Sequence, residues 1–292
     1  MKKIIIIAAV FVFYAFLHAN TSRDLGTEPD LNIKLVSKWI IFYTNIERLT
    51  NGQAPLQYDP ELEKAALWQA EYCSKIKTLD HTARVKNMAK HKDRIEFFGG
   101  KCGNCGENLT VKFSANFEGI PVSVKNDSKG VYYDYGSKTV YWLTEQQMAF
   151  IMIDGWMKSP GHRKNILRPG FLWIGAGSVK GVYNNFSSYY GCQVFNGYGG
   201  LPPEHFKSKY ELSGIIAKKK ISNGKEIFEI SYDGTFIPGI VEINGDAELI
   251  THPLEKNGAQ YTFIKIPNIK GQLFAALYDK NQDMLYPVIL LK

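Results

Sequence analysis

Gly155-Trp156-Met157-Lys158-Ser159-Pro160-Gly161-His162-Arg163-Lys164-Asn165-Ile166-Leu167 joins the end of one helix to the start of another and carries a histidine just past the junction. Ser159 before Pro160 is a helix-start signal: the hydroxyl serves as N-cap, and the missing proline N–H falls where no intrahelical acceptor exists. His162 is then placed in the first turn of a short helix. Read on the local pattern alone, it is a surface histidine with its ring half in water. Read as a ligand or acid–base group, it is an imidazole on backbone that holds its position.

Working outward, Thr144-Glu145-Gln146-Gln147 is a capping box opening a helix that carries Met148, Ile151, Met152 and Trp156 on one side and runs into Ser159. On the other flank, Arg168-Pro169-Gly170 is a turn, followed by the apolar strand Phe171 to Gly177. Its two glycines, Gly175 and Gly177, permit close backbone approach. Tyr189 to Phe195 reads as the partner strand. Towards the N-terminus, Leu35, Trp39, Phe42, Ile46 and Leu49 recur at spacings of three and four, an apolar helix face that stops at Asn51-Gly52. Asp59-Pro60-Glu61 starts a second helix, with Leu62, Ala66, Gln69, Ala70 and Cys73 on its buried side.

His81 follows that helix, before a basic, helix-like stretch reaching about Phe98. His91 sits in this stretch between Lys90 and Lys92 and reads as a surface residue. The segment Gly99 to Leu109 is a glycine-dense approach to Glu107, with Asn108 beside it. Residues 116–143 read as a small three-stranded excursion, with Val122 and Val124, then Tyr133 and Tyr135, then Val140 and Trp142 in its strands.

The chain opens with Met1-Lys2-Lys3, followed by an apolar run from Ile4 to Leu17. At about fourteen residues the run falls short of the roughly twenty that span a bilayer, so residues 1–19 read as a secretory signal peptide, with no stable membrane span after its cleavage. Residues 20–34 form a leader. The formal net charge of +7 is spread along the chain, with Lys218-Lys219-Lys220 the one tight run, which argues against a nucleic-acid partner. The four cysteines, Cys73, Cys102, Cys105 and Cys192, allow two disulfides in an exported chain, with three connectivities. Cys102 and Cys105 are close enough to pair. A redox role for them would need a helix N-terminus after a strand, which the glycines do not suggest.

Gly197 to Pro203 is the clearest linker and sets the domain boundary, with residues 35–200 before it and 201–208 as the connection itself. Beyond it, 209–292 shows short alternating strands and turns, among them Asn244-Gly245 as a hairpin signal. This is a small all-β, sandwich-like domain. No catalytic constellation stands out in it.

The pieces Asn45, Arg48, Gly52 to Asp59, His81, Arg94, Gly106-Glu107-Asn108-Leu109, Trp156 with Ser159 to Arg163, Asn165-Ile166-Leu167, Phe171, Ile174 to Gly177 and Tyr190 to Phe195 occur in an order that resembles the CAP superfamily. These are the SCP-like extracellular domains of cysteine-rich secretory proteins, antigen 5 and pathogenesis-related group 1 proteins. Ser-Pro-Gly-His-Arg is similar to the bacterial branch. The resemblance implies an α+β fold, a three-layer α-β-α sandwich, and a secreted, extracellular or periplasmic location.

It also implies a central cavity lined by two histidines and a glutamate, here His81, His162 and Glu107, which in some members holds zinc or another divalent cation. Asn108, Ser159, Arg163, Asn165 and Gln193 fall at supporting positions. A further glutamate of many eukaryotic members is Ser159 here. Asp154 cannot replace it, since five residues along a helix turn it about 140° away.

Two functions follow as expectations. The first is a secreted binding module for a small lipid or sterol, or for a protein ligand. The second is a metal-dependent hydrolase, with a water held by a cation at His81 and His162 and with Glu107 as general base. Neither an H-E-x-x-H helix nor a G-x-S-x-G elbow is present.

Overall fold

The computed structural model describes residues 25, 27–117, 120–127, 130–134 and 140–197, together with the backbone of the strands between 216 and 290. The signal segment 1–19 and the linker 201–208 lie outside the described residues. Two compact units emerge: residues 30–114 with 143–292, and residues 1–29 with 115–142.

In the larger unit, α1 (Ile33–Thr50) is started by Asn32, whose side chain accepts from the Leu35 N–H. The last two residues of the expected leader, Ile33 and Lys34, are already helical, and Leu31 is buried, its N–H donating to the Tyr189 hydroxyl. α2 (Pro60–Ile76) has Asp59 as N-cap, accepting from the N–H groups of Glu61 and Leu62, and ends on Lys77 in the left-handed region at φ 55°. The basic stretch that follows is mostly turns and is helical only over α3 (His91–Phe97). α4 (Glu145–Lys158) opens with the expected reciprocal capping box and leads through Ser159 into α5 (Pro160–Ile166).

The central sheet contains β1 (Gln57–Tyr58), β2 (Asn104–Phe113), β5 (Trp173–Tyr183) and β6 (Phe186–Gly197), in the order β1-β5-β6-β2. β1 is parallel to β5 and the other pairs are antiparallel. Successive side chains face opposite ways along a strand. Ile174, Ala176, Tyr189 and Phe195 accordingly pack with α1, α4 and α5, whereas Trp173, Tyr190, Cys192 and Val194 pack with α2 and Ile95 of α3. These are the three expected layers.

Gly175 and Gly177 bring β5 against α2. A Cβ on Gly175 would fall 2.1 Å from the Glu63 backbone nitrogen, and one on Gly177 would fall 2.3 Å from that of Leu67.

The excursion differs from its expectation. Among its described residues it has two strands, β3 (Ser123–Asp127) and β4 (Gly130–Asp134), paired antiparallel. Of the third apolar run, the described residues supply a bridge from Trp142 to Ala115, and the Asn116 N–H donates to the Tyr141 carbonyl.

Towards the C-terminus all described elements are strands. β7 (Ile216–Ser222), β8 (Lys225–Tyr232), β9 (Thr235–Ile243) and β10 (Asp246–Leu249) form an antiparallel meander. Ile243 pairs with Asp246 across Asn244-Gly245. β11 (Leu254–Lys256) pairs with β12 (Ala259–Tyr261), and β13 (Phe263–Lys265), β14 (Leu273–Asp279) and β15 (Met284–Leu290) form a third sheet.

Cys102 and Cys105 are joined by a disulfide, with Cα atoms 5.8 Å apart. Cys73 and Cys192 are free thiols in the core.

Candidate functional site

β2 is an edge strand of the sheet, so segments from both helical layers can meet around its free side. By strand alternation Glu107 faces the α2–α3 layer and Asn108 the α1–α4–α5 layer.

Glu107 is enclosed. Its Oε2 accepts from Arg94 Nη2 at 2.6 Å, its Oε1 lies 2.9 Å from His81 Nδ1, and the Cys192 thiol approaches Oε2 at 3.9 Å. The Arg94 and Glu107 side chains are 0% and 1% exposed. Arg94 also donates from Nη1 to the carbonyls of Met88 and Ala89, which ties the turns after His81 to this pair.

His81 is the outer member, with its side chain 56% exposed. It is presented by a turn past the end of α2, where Gln69 Nε2 donates to the Asp80 carbonyl. The hydrogen bond to Glu107 raises its pKa, with burial acting the other way. A neutral His81 that donates Nδ1–H to the carboxylate leaves the Nε2 lone pair available, a tautomer assigned from the hydrogen-bond network.

His91 belongs to this cluster, contrary to its expected surface role. Burial lowers its pKa, and it feels the charges of Glu107, Arg94 and His81 and bonds the Cys105 backbone. A signal existed: His91 and Arg94 are three residues apart on α3 and so share a face. The flanking Lys90 and Lys92 obscured it. Arg94, quoted above only as part of the resemblance, is the other site residue that local pattern missed.

His162 is held from the other layer. Asn108 Nδ2 donates to the His162 carbonyl at 3.2 Å and to Gln193 Oε1 at 3.0 Å. Asn165 Nδ2 donates to Asn108 Oδ1 at 2.9 Å, and Gln193 Nε2 to Thr44 Oγ1 at 2.6 Å. Arg48 anchors the end of α5, donating to the carbonyls of Ala54, Ile166 and Arg168. Burial and then the charge of His81 lower the His162 pKa, so the two imidazoles sense each other.

Ser159 is the N-cap of α5 by position, yet, contrary to expectation, its side chain makes no capping bond. Arg163 is exposed and donates to Asn51 Oδ1 at 3.1 Å, at the end of α1.

Among the described residues no group of three or more His, Cys, Asp or Glu side chains is placed to hold a metal ion. Both carboxylate oxygens of Glu107 are engaged inward, one of them by a guanidinium. The donor chemistry that fits a cation here is the pair of imidazoles, with Glu107 behind His81.

A groove of about 340 Å³ runs between α1 and α4. Tyr43, Ile46, Phe150, Ile153 and Met157 form its apolar walls, and Phe150 is 48% exposed. Lys158 and Asp154 pair at its rim at 2.7 Å.

The sequence profile of the family described as CAP, the cysteine-rich secretory protein family, matches residues 41–195. The chain is similar to "Uncharacterized protein YkwD" of Bacillus subtilis (strain 168), with 27% identity over 154 residues, 53% of this chain and 46% of that protein. It thus spans less than half the length of that curated relative.

Among solved structures, it is similar to an extracellular protein containing a SCP domain from Bacillus anthracis, with 19% identity, a TM-score of 0.38, and coverage of 58% of this chain and 45% of that one. It is also similar to an outer surface protein from Borrelia burgdorferi, with 16% identity, a TM-score of 0.39, and coverage of 59% of this chain and 99% of that one.

Proposed function

The chain belongs to the cysteine-rich secretory protein (CAP) family, and from that premise we propose that it acts outside the cytoplasm as a binding module. Its ligand-facing centre is the imidazole pair His81 and His162, which takes a divalent cation, and its α1–α4 groove receives a small apolar ligand of the lipid or sterol class.

One observation carries this reading over hydrolysis: the Glu107 carboxylate at the centre is turned inward, bonded through both oxygens and 1% exposed. It orients His81 and does not face a substrate as a base would. The groove supports the ligand class because its walls are apolar and Phe150 stands half in water. The outward location is supported by the family itself, described as secretory.

The test is capture of a fluorescent fatty acid and a fluorescent sterol by the full chain. Saturable binding of either, lost in Phe150→Asp while the far-UV spectrum is kept, supports the groove. Absence of binding to both, or equal binding by the variant, rejects it.

A further inference from the structure

A second depression lies on the opposite side of α1, at the starts of α1 and α2, with a volume of about 320 Å³. Its inner end is the outer edge of β5. β1 covers β5 only at Trp173 and Ile174, and the Asp59 N–H donates to the Ile174 carbonyl as the chain turns away into α2. Period-two alternation directs the main-chain groups of Ala176 and Ser178 to the side β1 has left, where no described strand covers them. Both residues line the depression.

Ser178 is fully buried, and its hydroxyl has no hydrogen-bond partner among the described residues. Buried hydroxyls are ordinarily paired, so an orphan lining a cavity marks the place of a missing partner. The lining of the depression carries three lysines, Lys34, Lys38 and Lys64, and one carboxylate, Glu63. Lys34 occupies the first turn of α1, where a cation opposes the helix dipole, and that turn contains no acid. Lys64 stands across the mouth on α2. The Glu63 carboxylate, also on the wall, accepts from the Tyr58 hydroxyl at 2.5 Å. Glu145 accepts from the Asn32 N–H, but it does not line the depression. Ile33 and Leu67 also line the depression and supply apolar surface.

We propose that this depression binds a short-chain carboxylate, with its acid group held by Lys34, Lys64 and the Ser178 hydroxyl and its hydrocarbon part against Ile33, Leu67 and Ala176. The size fits a short ligand, since 320 Å³ is at the small end of ligand cavities, about 300–1,000 Å³. The site is separate from the α1–α4 groove and from the imidazole pair.

The test is calorimetric titration of the full chain with sodium hexanoate and, separately, with hexanol. Saturable hexanoate binding is expected, with hexanol at least about tenfold weaker, as for loss of a charge-assisted hydrogen bond. The double variant Lys34→Gln/Lys64→Gln and the conservative Ser178→Ala should each weaken hexanoate by about tenfold on the same grounds. Ser178→Ala should leave the thermal midpoint unchanged or higher, which separates lost binding from lost folding, and Phe150→Asp should bind hexanoate as wild type does. The proposal is overturned by no binding to wild type, by equal hexanol affinity, by variants that bind like wild type, or by loss of hexanoate binding in Phe150→Asp.

Discussion

Arg94 Nη2 meets Glu107 Oε2 at 2.6 Å with neither side chain in contact with water. The pair closes the α2–α3 layer over β2 and sets the position of His81. Removing one partner of a buried ion pair strands the other, at a cost of about 3–5 kcal/mol. Arg94→Met is expected to lower the unfolding free energy by that amount in urea titrations. A loss under about 1 kcal/mol, the range of exposed pairs, would show that water reaches the pair.

The three histidines near β2 impose opposite pH dependences on stability. His91 and His162 have lowered pKa values, so their contribution is complete above the ordinary value of 6.5 and is lost as pH falls through their folded values. His81 has a raised pKa, so its contribution is complete below 6.5 and is lost as pH rises through its folded value. His91→Asn should flatten the acid limb of a stability-against-pH curve, and His81→Asn the limb above 6.5. Unchanged limbs in both variants would contradict the cluster.

Gly175 and Gly177 set the approach of α2 to β5. Alanine at either position would press its Cβ into the backbone of α2, not into a side chain that can swing away. Each substitution is expected to cost about 3 kcal/mol, the upper part of the usual overpacking range, measured by thermal or urea unfolding. A cost below about 0.5 kcal/mol would mean that α2 is less closely docked.

Arg48 is buried, its pKa pushed down to about 10 by that burial, and its guanidinium spans four carbonyls, those of Ala54, Ile166, Arg168 and Phe171, across two segments. Lysine cannot reproduce that planar fork. Arg48→Lys should cost about 1.5–3 kcal/mol per charged hydrogen bond left unmade. It should also speed amide exchange in residues 160–168, and exchange there equal to wild type would argue that Arg48 does not anchor α5.

Much of the fold was legible because its signals are local. Asp59-Pro60, the Thr144 capping box, the apolar face from Leu35 and the glycines of β5 each act within a few residues of themselves. The centre was less legible because its decisive contacts are distant. Glu107 was visible as an acid after glycines, but its inward bonds depend on Arg94 and His81, which only the folded chain brings together. His91 shows the same limit, its two lysine neighbours being a poor guide to what its ring meets. Ser159 illustrates the reverse: the local signal placed the helix break correctly while its hydroxyl makes no capping bond.

The central claim is that His81 and His162 bind and that Glu107 positions. Zinc titration of chelator-treated full chain by calorimetry tests it most directly. The account predicts one site, lost in His81→Ala and in His162→Ala. In Glu107→Gln the site is retained but weakened about 10–100-fold, as expected for a group acting from behind a ligand. Zinc affinity unchanged by both histidine substitutions would contradict it.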